Sequence, residues 1–172
     1  MKKFNRLILF LLLTMFYFVS DGQATELTAQ EAEAIIRELQ KTGGAVQPIG
    51  MSNDAYAMYF TGQSYLVNIS TDKSFPVHNV TFAHGAHTFW HIHYNSCQVL
   101  IAEAGRGYFQ LWGEVPQFLL PGQSVTIPAG VKHWLGAVPG TSFQHISLMK
   151  QGEGVRTEWL EPVNDVDYKD LK

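Results

Sequence analysis

The sequence predicts an all-β domain, a small antiparallel β-barrel or jelly roll with a short helix before it and another after it. Three observations predict this. From about Tyr56 to Trp159 the chain breaks into about ten short runs rich in β-branched and aromatic residues. Gly and Pro punctuate these runs at close intervals, as turns between antiparallel strands require. The length of 172 residues suits one domain with a sizeable core, and no internal repeat or low-complexity stretch interrupts it.

The elements follow in order. Residues 1–24 read as a secretory signal peptide. Lys2, Lys3 and Arg6 precede an apolar run of 13 residues from Leu7 to Val19, and Gly22-Gln23-Ala24 ends with small residues where a signal peptidase reads. That run is shorter than the ~20 residues of a membrane span. The expectation is an exported protein, periplasmic or secreted, cleaved near Ala24 and without stable membrane association afterwards. Its lone thiol, Cys97, leaves no internal disulfide, so stability must come from core packing.

Without the leader, nine basic residues would face 14 acidic ones, a formal charge of −5. A mildly acidic domain with no basic stripe argues against nucleic acid and anionic membrane surfaces as partners. A small-molecule partner is the remaining expectation.

Residues 25–55 form an N-terminal extension. Within it "ELTAQEAEAIIRELQK" places Leu27, Ala34, Ile35 and Leu39 near helical spacing, Thr28 and Glu31 form a capping box, and Gly43-Gly44 ends the helix. It reads as a helix packed on the outside of the domain. Residues 56–172 form the β-domain, with strands expected at "YAMYF", "SYLVNI", "VHNVTFA", "HTFWHIHY", "QVLIAEA", "GYFQLW", "QFLLP", "SVTIP", "HWLGAV" and "SFQHISLM". The tail "EPVNDVDYKDLK" reads as a short terminal helix or a solvated end.

Of the seven histidines, His91 and His93 share one strand face by alternation, and His87 is a marginal third at the strand's start. Gln98 opens the next strand after the turn "YNSC", and His133 follows the Pro/Gly turn "PAG". Two histidines from one strand, a ligand beyond a turn and another from an opposing strand can converge on a metal. Such a set leaves coordination positions open, as catalytic metal sites require. His78 and His84 read as structural, and Cys97 as a small buried hydrophobe.

These spacings resemble the two signature motifs of the cupin superfamily. The first runs through Gly85, His91, His93, Gln98 and Gly105; the second runs through Gly122, Pro128, Gly130 and His133, with Ala137 where the family commonly has Asn. "WHIH…CQVLIAEAGRGYFQ", "LLPGQSVTIPAGVKHWLGA" and "FQHISL" are similar to small single-domain cupins with three His and one Gln. That group includes the bacterial cupin-type hydroxynitrile lyases and the carboxymuconolactone-decarboxylase-associated cupins. The resemblance, which starts near "YFTG" at 59–62, implies His91, His93, Gln98 and His133 as ligands of one divalent transition metal, Mn, Fe or Zn, with Mn favoured. It also implies His145 as a catalytic base or a residue behind the ligands, and a homodimer. Two departures stand out: the interval before Gln98 is one residue longer than in the lyases, and Leu135 stands where they often have a second His.

Gln98 has a reading in terms of charge. Three imidazoles and a neutral amide leave a divalent ion its full charge, which favours anionic ligands and Lewis-acid chemistry. The same choice offers no carboxylate as a base, so His145 becomes the candidate general acid/base. Gln110, Trp134 and Tyr94 are the expected substrate-binding walls, with Gln110 pointing inward by strand parity. The expected activity is lyase- or isomerase-like, on a substrate bearing a carbonyl, hydroxyl or carboxylate. An O₂-dependent dioxygenase-type site or a non-catalytic binding protein would use the same ligands.

Overall fold

The computed structural model describes residues 26–171; the expected leader, residues 1–24, lies outside them. Thr28 opens α1 (Ala29–Gln40) with the capping box in place, its hydroxyl accepting from the Glu31 amide while the Glu31 carboxylate takes the Thr28 amide. The strands that follow are β1 (Met51–Ser52), β2 (Phe60–Thr61), β3 (Ser64–Asn68), β4 (Val77–Phe82), β5 (His87–Thr88), β6 (His91–Tyr94), β7 (Gln98–Gly105), β8 (Gly107–Leu111), β9 (Gln117–Leu119), β10 (Ser124–Ile127), β11 (His133–Ala137), β12 (Phe143–Met149) and β13 (Arg156–Trp159). Helix α2 (Asp165–Lys169) closes the chain. Among the described residues no helix is long and apolar enough to cross a membrane.

All pairings are antiparallel and build two sheets. The first runs β1-β3-β4-β12-β7-β10; the second runs β13-β6-β11-β5-β2, with β8 joined to β11 and β9 to β8. Between them lies the main core, where Phe82, Leu100, Ala102 and Phe143 of the first sheet meet Phe109, Leu135 and Ala137 of the second. This is the all-β architecture expected, expressed as two facing sheets.

Two segments differ from expectation. "YAMYF" is a 3₁₀ helix over Asp54–Tyr59 rather than a strand. Tyr56 and Met58 lie exposed there, so no buried face holds the segment extended, and pairing starts only at Phe60 opposite Thr88. The N-terminal extension is also not purely helical, because β1 pairs Met51 with Leu66 at the edge of the first sheet.

Helix α1 lies against the outside of that sheet. Ile35 and Leu39 are buried among Ile49, Tyr65, Ala83 and Ala104, each contributing about 1.5–3 kcal/mol through burial. Close approach there depends on Gly44, at φ +90°, where an added Cβ would stand 2.0 Å from the Glu103 carbonyl oxygen. The Glu38 carboxylate pins the helix to the sheet by accepting from Ser142 at 2.5 Å and pairing with His84 at 2.9 Å.

Candidate metal centre

Strand alternation puts His91 and His93 on the inner face of β6, and β11 sets His133 directly opposite His91 in register. All three are buried, and their ligating nitrogens lie within 4.8 Å of one another. Each ring is oriented from behind. His91 Nδ1 faces the Phe89 carbonyl at 2.9 Å, His133 Nδ1 faces the Val131 carbonyl at 2.8 Å, and His93 Nδ1 meets Thr157 Oγ1 at 2.8 Å. A carbonyl can only accept, so Nδ1 of His91 and His133 carries the proton and Nε2 is left with a bare lone pair. That is the tautomer a metal ligand needs.

Gln98 comes from the opposite sheet, at the first residue of β7. The four-residue interval before it is taken up by a turn in which Asn95 adopts a left-handed φ of +60° and donates from Nδ2 to the Gly154 carbonyl at 2.8 Å. Gln98 Nε2 donates to Ser147 Oγ at 3.0 Å, which points Oε1 at His133 Nε2, 3.1 Å away. Two lone pairs facing each other inside a protein are unfavourable unless a cation lies between them. His93 Nε2 is likewise buried without a partner. The donor set, three neutral imidazoles and an amide oxygen, therefore fits a divalent transition metal.

Burial holds these rings neutral. Desolvation lowers the pKa of His93 and of His133 to about 4, and that of His91 falls well below the ordinary range through burial first and then the neighbouring His133 and His93.

The inner face of β12 faces the same interior. Phe143, His145 and Ser147 alternate along it without interruption; the bulge opposite Gln144 and His145 lies in β7, where Glu103 is the extra residue. His145 lies between Phe82 and Phe143, ring centres 5.5 and 5.2 Å away, and its Nδ1 has no partner. It sits two residues along the strand from Ser147, the residue that holds Gln98. Desolvation alone lowers its pKa to about 3, so it is neutral at physiological pH rather than poised near 6.5.

The expected substrate walls stand elsewhere. On β8 the residues facing the core are Phe109 and Leu111, so Gln110 faces outward. There its Oε1 accepts from Trp134 Nε1 at 2.6 Å and its Nε2 donates to the Glu114 carbonyl at 2.7 Å. Trp134 follows His133 and therefore takes the opposite face, against Trp90, Tyr108, Val138, Val163 and Tyr168. Tyr94 likewise points away from His93; its hydroxyl donates to Glu158 at 2.7 Å and Arg156 covers its ring. Alternation that brings the histidines together necessarily sends these three out. His87 is also on the outer side, stacked on Tyr168 at 3.9 Å. Cys97 is exposed in the turn before β7, not buried.

Three residues not anticipated, Thr157, Trp159 and Ser147, complete the inner site, with Tyr59 behind Trp159. Thr157 and Trp159 face inward on β13, paired with His93 and His91, and the Trp159 ring lies 4.7 Å from that of His91. Tyr59 stacks on Trp159 at 4.7 Å and 4°. Ser147 is the third, and the alternation of "FQHIS" carries the signal for it: whatever face His145 takes, Ser147 shares.

A cupin domain model matches residues 78–143, a span that contains His91, His93, Gln98 and His133. A protein of Granulicella tundricola named (R)-mandelonitrile lyase is 38% identical over 91 residues, which is 53% of this chain and 69% of the relative. Among solved structures, a cupin-like protein from Thermotoga maritima is 31% identical, with a TM-score of 0.67 over 73% of this chain and 96% of its own. A sugar phosphate isomerase of the cupin superfamily from Silicibacter pomeroyi shares the fold at 16% identity, with a TM-score of 0.52 over 68% of this chain and 74% of its own. Domain model, relative and fold agree, and the chain belongs to the cupin superfamily.

Proposed function

We propose that this cupin is an exported, metal-dependent enzyme of lyase or isomerase type, acting on a small organic substrate that bears a carbonyl, hydroxyl or carboxylate. The observation that carries the reading is the convergence of three neutral histidine nitrogens, with the Gln98 amide oxygen turned to the same point. One divalent transition metal per chain, Mn first among Mn, Fe and Zn, would be held by His91, His93, Gln98 and His133. A metal bound there supplies an electropositive centre that polarises a substrate oxygen, undiminished by any carboxylate ligand.

The chain's own residues do the rest. Thr157 and the Phe89 and Val131 carbonyls keep the three rings in one orientation. Trp159, backed by Tyr59, walls the chamber beside His91 and offers a flat apolar surface to the substrate's organic part. His145, neutral and walled by Phe82 and Phe143, is placed to accept a proton through its unpartnered nitrogen. The burial that lowers its basicity means the imidazolium persists only while an anion forms beside it, which ties proton transfer to substrate ionisation. Export through residues 1–24 and a homodimer belong to the same proposal.

Because a 38%-identical relative is named a mandelonitrile lyase, cyanohydrins are the first substrate class to test. The assay is cyanide release from mandelonitrile by protein loaded with Mn, Fe or Zn in turn, alongside a panel of hydroxy and keto acids. The expected result is metal-dependent turnover that His145→Ala abolishes while metal content stays near one per chain. Full turnover by His145→Ala would remove that residue from the mechanism, and tight ligand binding without product from any substrate would make the chain a binding protein.

A further inference from the structure

On the side of the second sheet away from the histidines lies a cavity of about 740 Å³ that the metal centre does not use. Trp134 is its buried floor, Trp90 and Trp112 are walls, and the segment ending in α2 closes it from above. Trp90 and Trp112 meet edge to face at 5.0 Å and 81°, forming an indole corner. Trp112 is 61% exposed, so much of its surface is open to a ligand.

Among the described residues, Glu114 is the one charged group of this corner outside an ion pair. Glu114 and Glu161 line the cavity. The neighbouring cation, Lys132, is committed: it pairs with Glu161, and its ammonium stands 3.5 Å from the centre of the Trp112 ring and 5.2 Å from that of Trp90. The chain's own ammonium therefore already demonstrates what these indoles attract. Hydrogen-bonding capacity deeper in the cavity is spent. Gln110 is occupied at both ends of its amide, by Trp134 and the Glu114 carbonyl. The Tyr168 hydroxyl lies 2.6 Å from the Gly85 and Ala137 carbonyls. A hydroxyl-rich ligand such as a sugar finds few free partners, and an anion meets the Glu114 carboxylate with Lys132 already paired to Glu161.

We infer that this cavity is a second binding site, for a small organic cation whose ammonium carries an aromatic or branched apolar group. The apolar body lies in the corner between Trp112 and the accessible edge of Trp90, and the ammonium sits on the open surface of Trp112 beside Glu114. Nothing in this inference depends on the chemistry of the metal centre.

The test is titration of the metal-loaded protein with benzyltrimethylammonium, followed by tryptophan fluorescence and calorimetry, with benzyl alcohol and benzoate as neutral and anionic comparisons. The cation should bind saturably at one site, roughly tenfold more tightly than benzyl alcohol, with benzoate weakest. Trp112→Ala should weaken the cation roughly tenfold. Glu114→Gln should weaken the cation while leaving benzyl alcohol unchanged, and a folded His91→Ala variant should bind the cation as the parent does. Equal affinity for cation and alcohol, preference for benzoate, or indifference to Trp112→Ala would overturn the inference. So would loss of binding in His91→Ala, which would place the probe in the metal centre instead.

Discussion

His133 and Trp134 are adjacent in sequence and stand on opposite faces of one strand, and the two faces are built on different physics. On the inner face, three buried histidines have Nδ1 tied to a carbonyl or hydroxyl and Nε2 aimed at a common point. On the outer face, buried His87 also has Nδ1 tied to a carbonyl, that of Gly85 at 3.0 Å, and an Nε2 without a partner. Yet it faces Tyr168 and Trp134, and no second imidazole answers it. The lesson is that an oriented, buried, orphaned histidine is not a ligand by itself; convergence makes it one.

The largest effect that can break this comparison is metal content. His91→Ala and His133→Ala each remove an inner ligand and should drop bound metal from about one per chain to near none, by elemental analysis of purified protein. His87→Ala should leave metal content unchanged while costing about 2–4 kcal/mol of stability through the packing lost against Tyr168 and Trp134. Loss of metal from the His87 variant, or its retention by both inner variants, would erase the distinction between the faces.

A second, smaller effect contrasts His87 with His145. Burial lowers both pKa values, but for His87 the Gly85 carbonyl and Asp165 oppose the shift, whereas nothing opposes it for His145. A folded pKa of about 3 against 6.5 when unfolded means the unfolded chain binds the extra proton. The contribution is complete above pH 6.5 and is lost as pH falls towards 3, at about 1.4 kcal/mol per pH unit within that window. Between pH 6.5 and pH 5 His145 should therefore cost the protein roughly 1.5–2 kcal/mol. Denaturant unfolding at the two pH values should show that His145→Gln loses less stability than the parent by this amount. An identical pH slope in parent and variant would mean that His145 is not held neutral by its phenylalanine walls.

Much of the inner site is legible in the chain because its determinants are local. His91 and His93 share a face through a two-residue period, the Pro/Gly corner fixes where His133 enters β11, and Thr28 with Glu31 marks the start of α1. What is illegible depends on pairing between distant segments. Whether Gln110 points in or out is settled by its register with Trp134, 24 residues away in sequence, and strand parity has no origin until a partner strand supplies one. "YAMYF" has the composition of a strand but finds a partner strand only at its last residue, Phe60. Thr157 and Trp159 are ordinary residues on a short edge strand, and only their pairing with His93 and His91 gives them a role.

The smallest effect tests that last point. Thr157 Oγ1 lies 2.8 Å from His93 Nδ1 and is the side-chain counterpart of the carbonyls that orient His91 and His133. Thr157→Val preserves shape but removes the partner, leaving the His93 ring free to rotate. Metal affinity, measured by competition with a chelator, should fall about tenfold, the lower end of what losing a partner behind a metal ligand costs. Thr157→Ser should restore it, since the hydroxyl and not the methyl is required. If the Val variant holds metal as tightly as the parent, packing against the neighbouring imidazoles of His91 and His133 alone fixes the His93 ring. The inner and outer histidines would then differ only in convergence and not also in how firmly each ring is held.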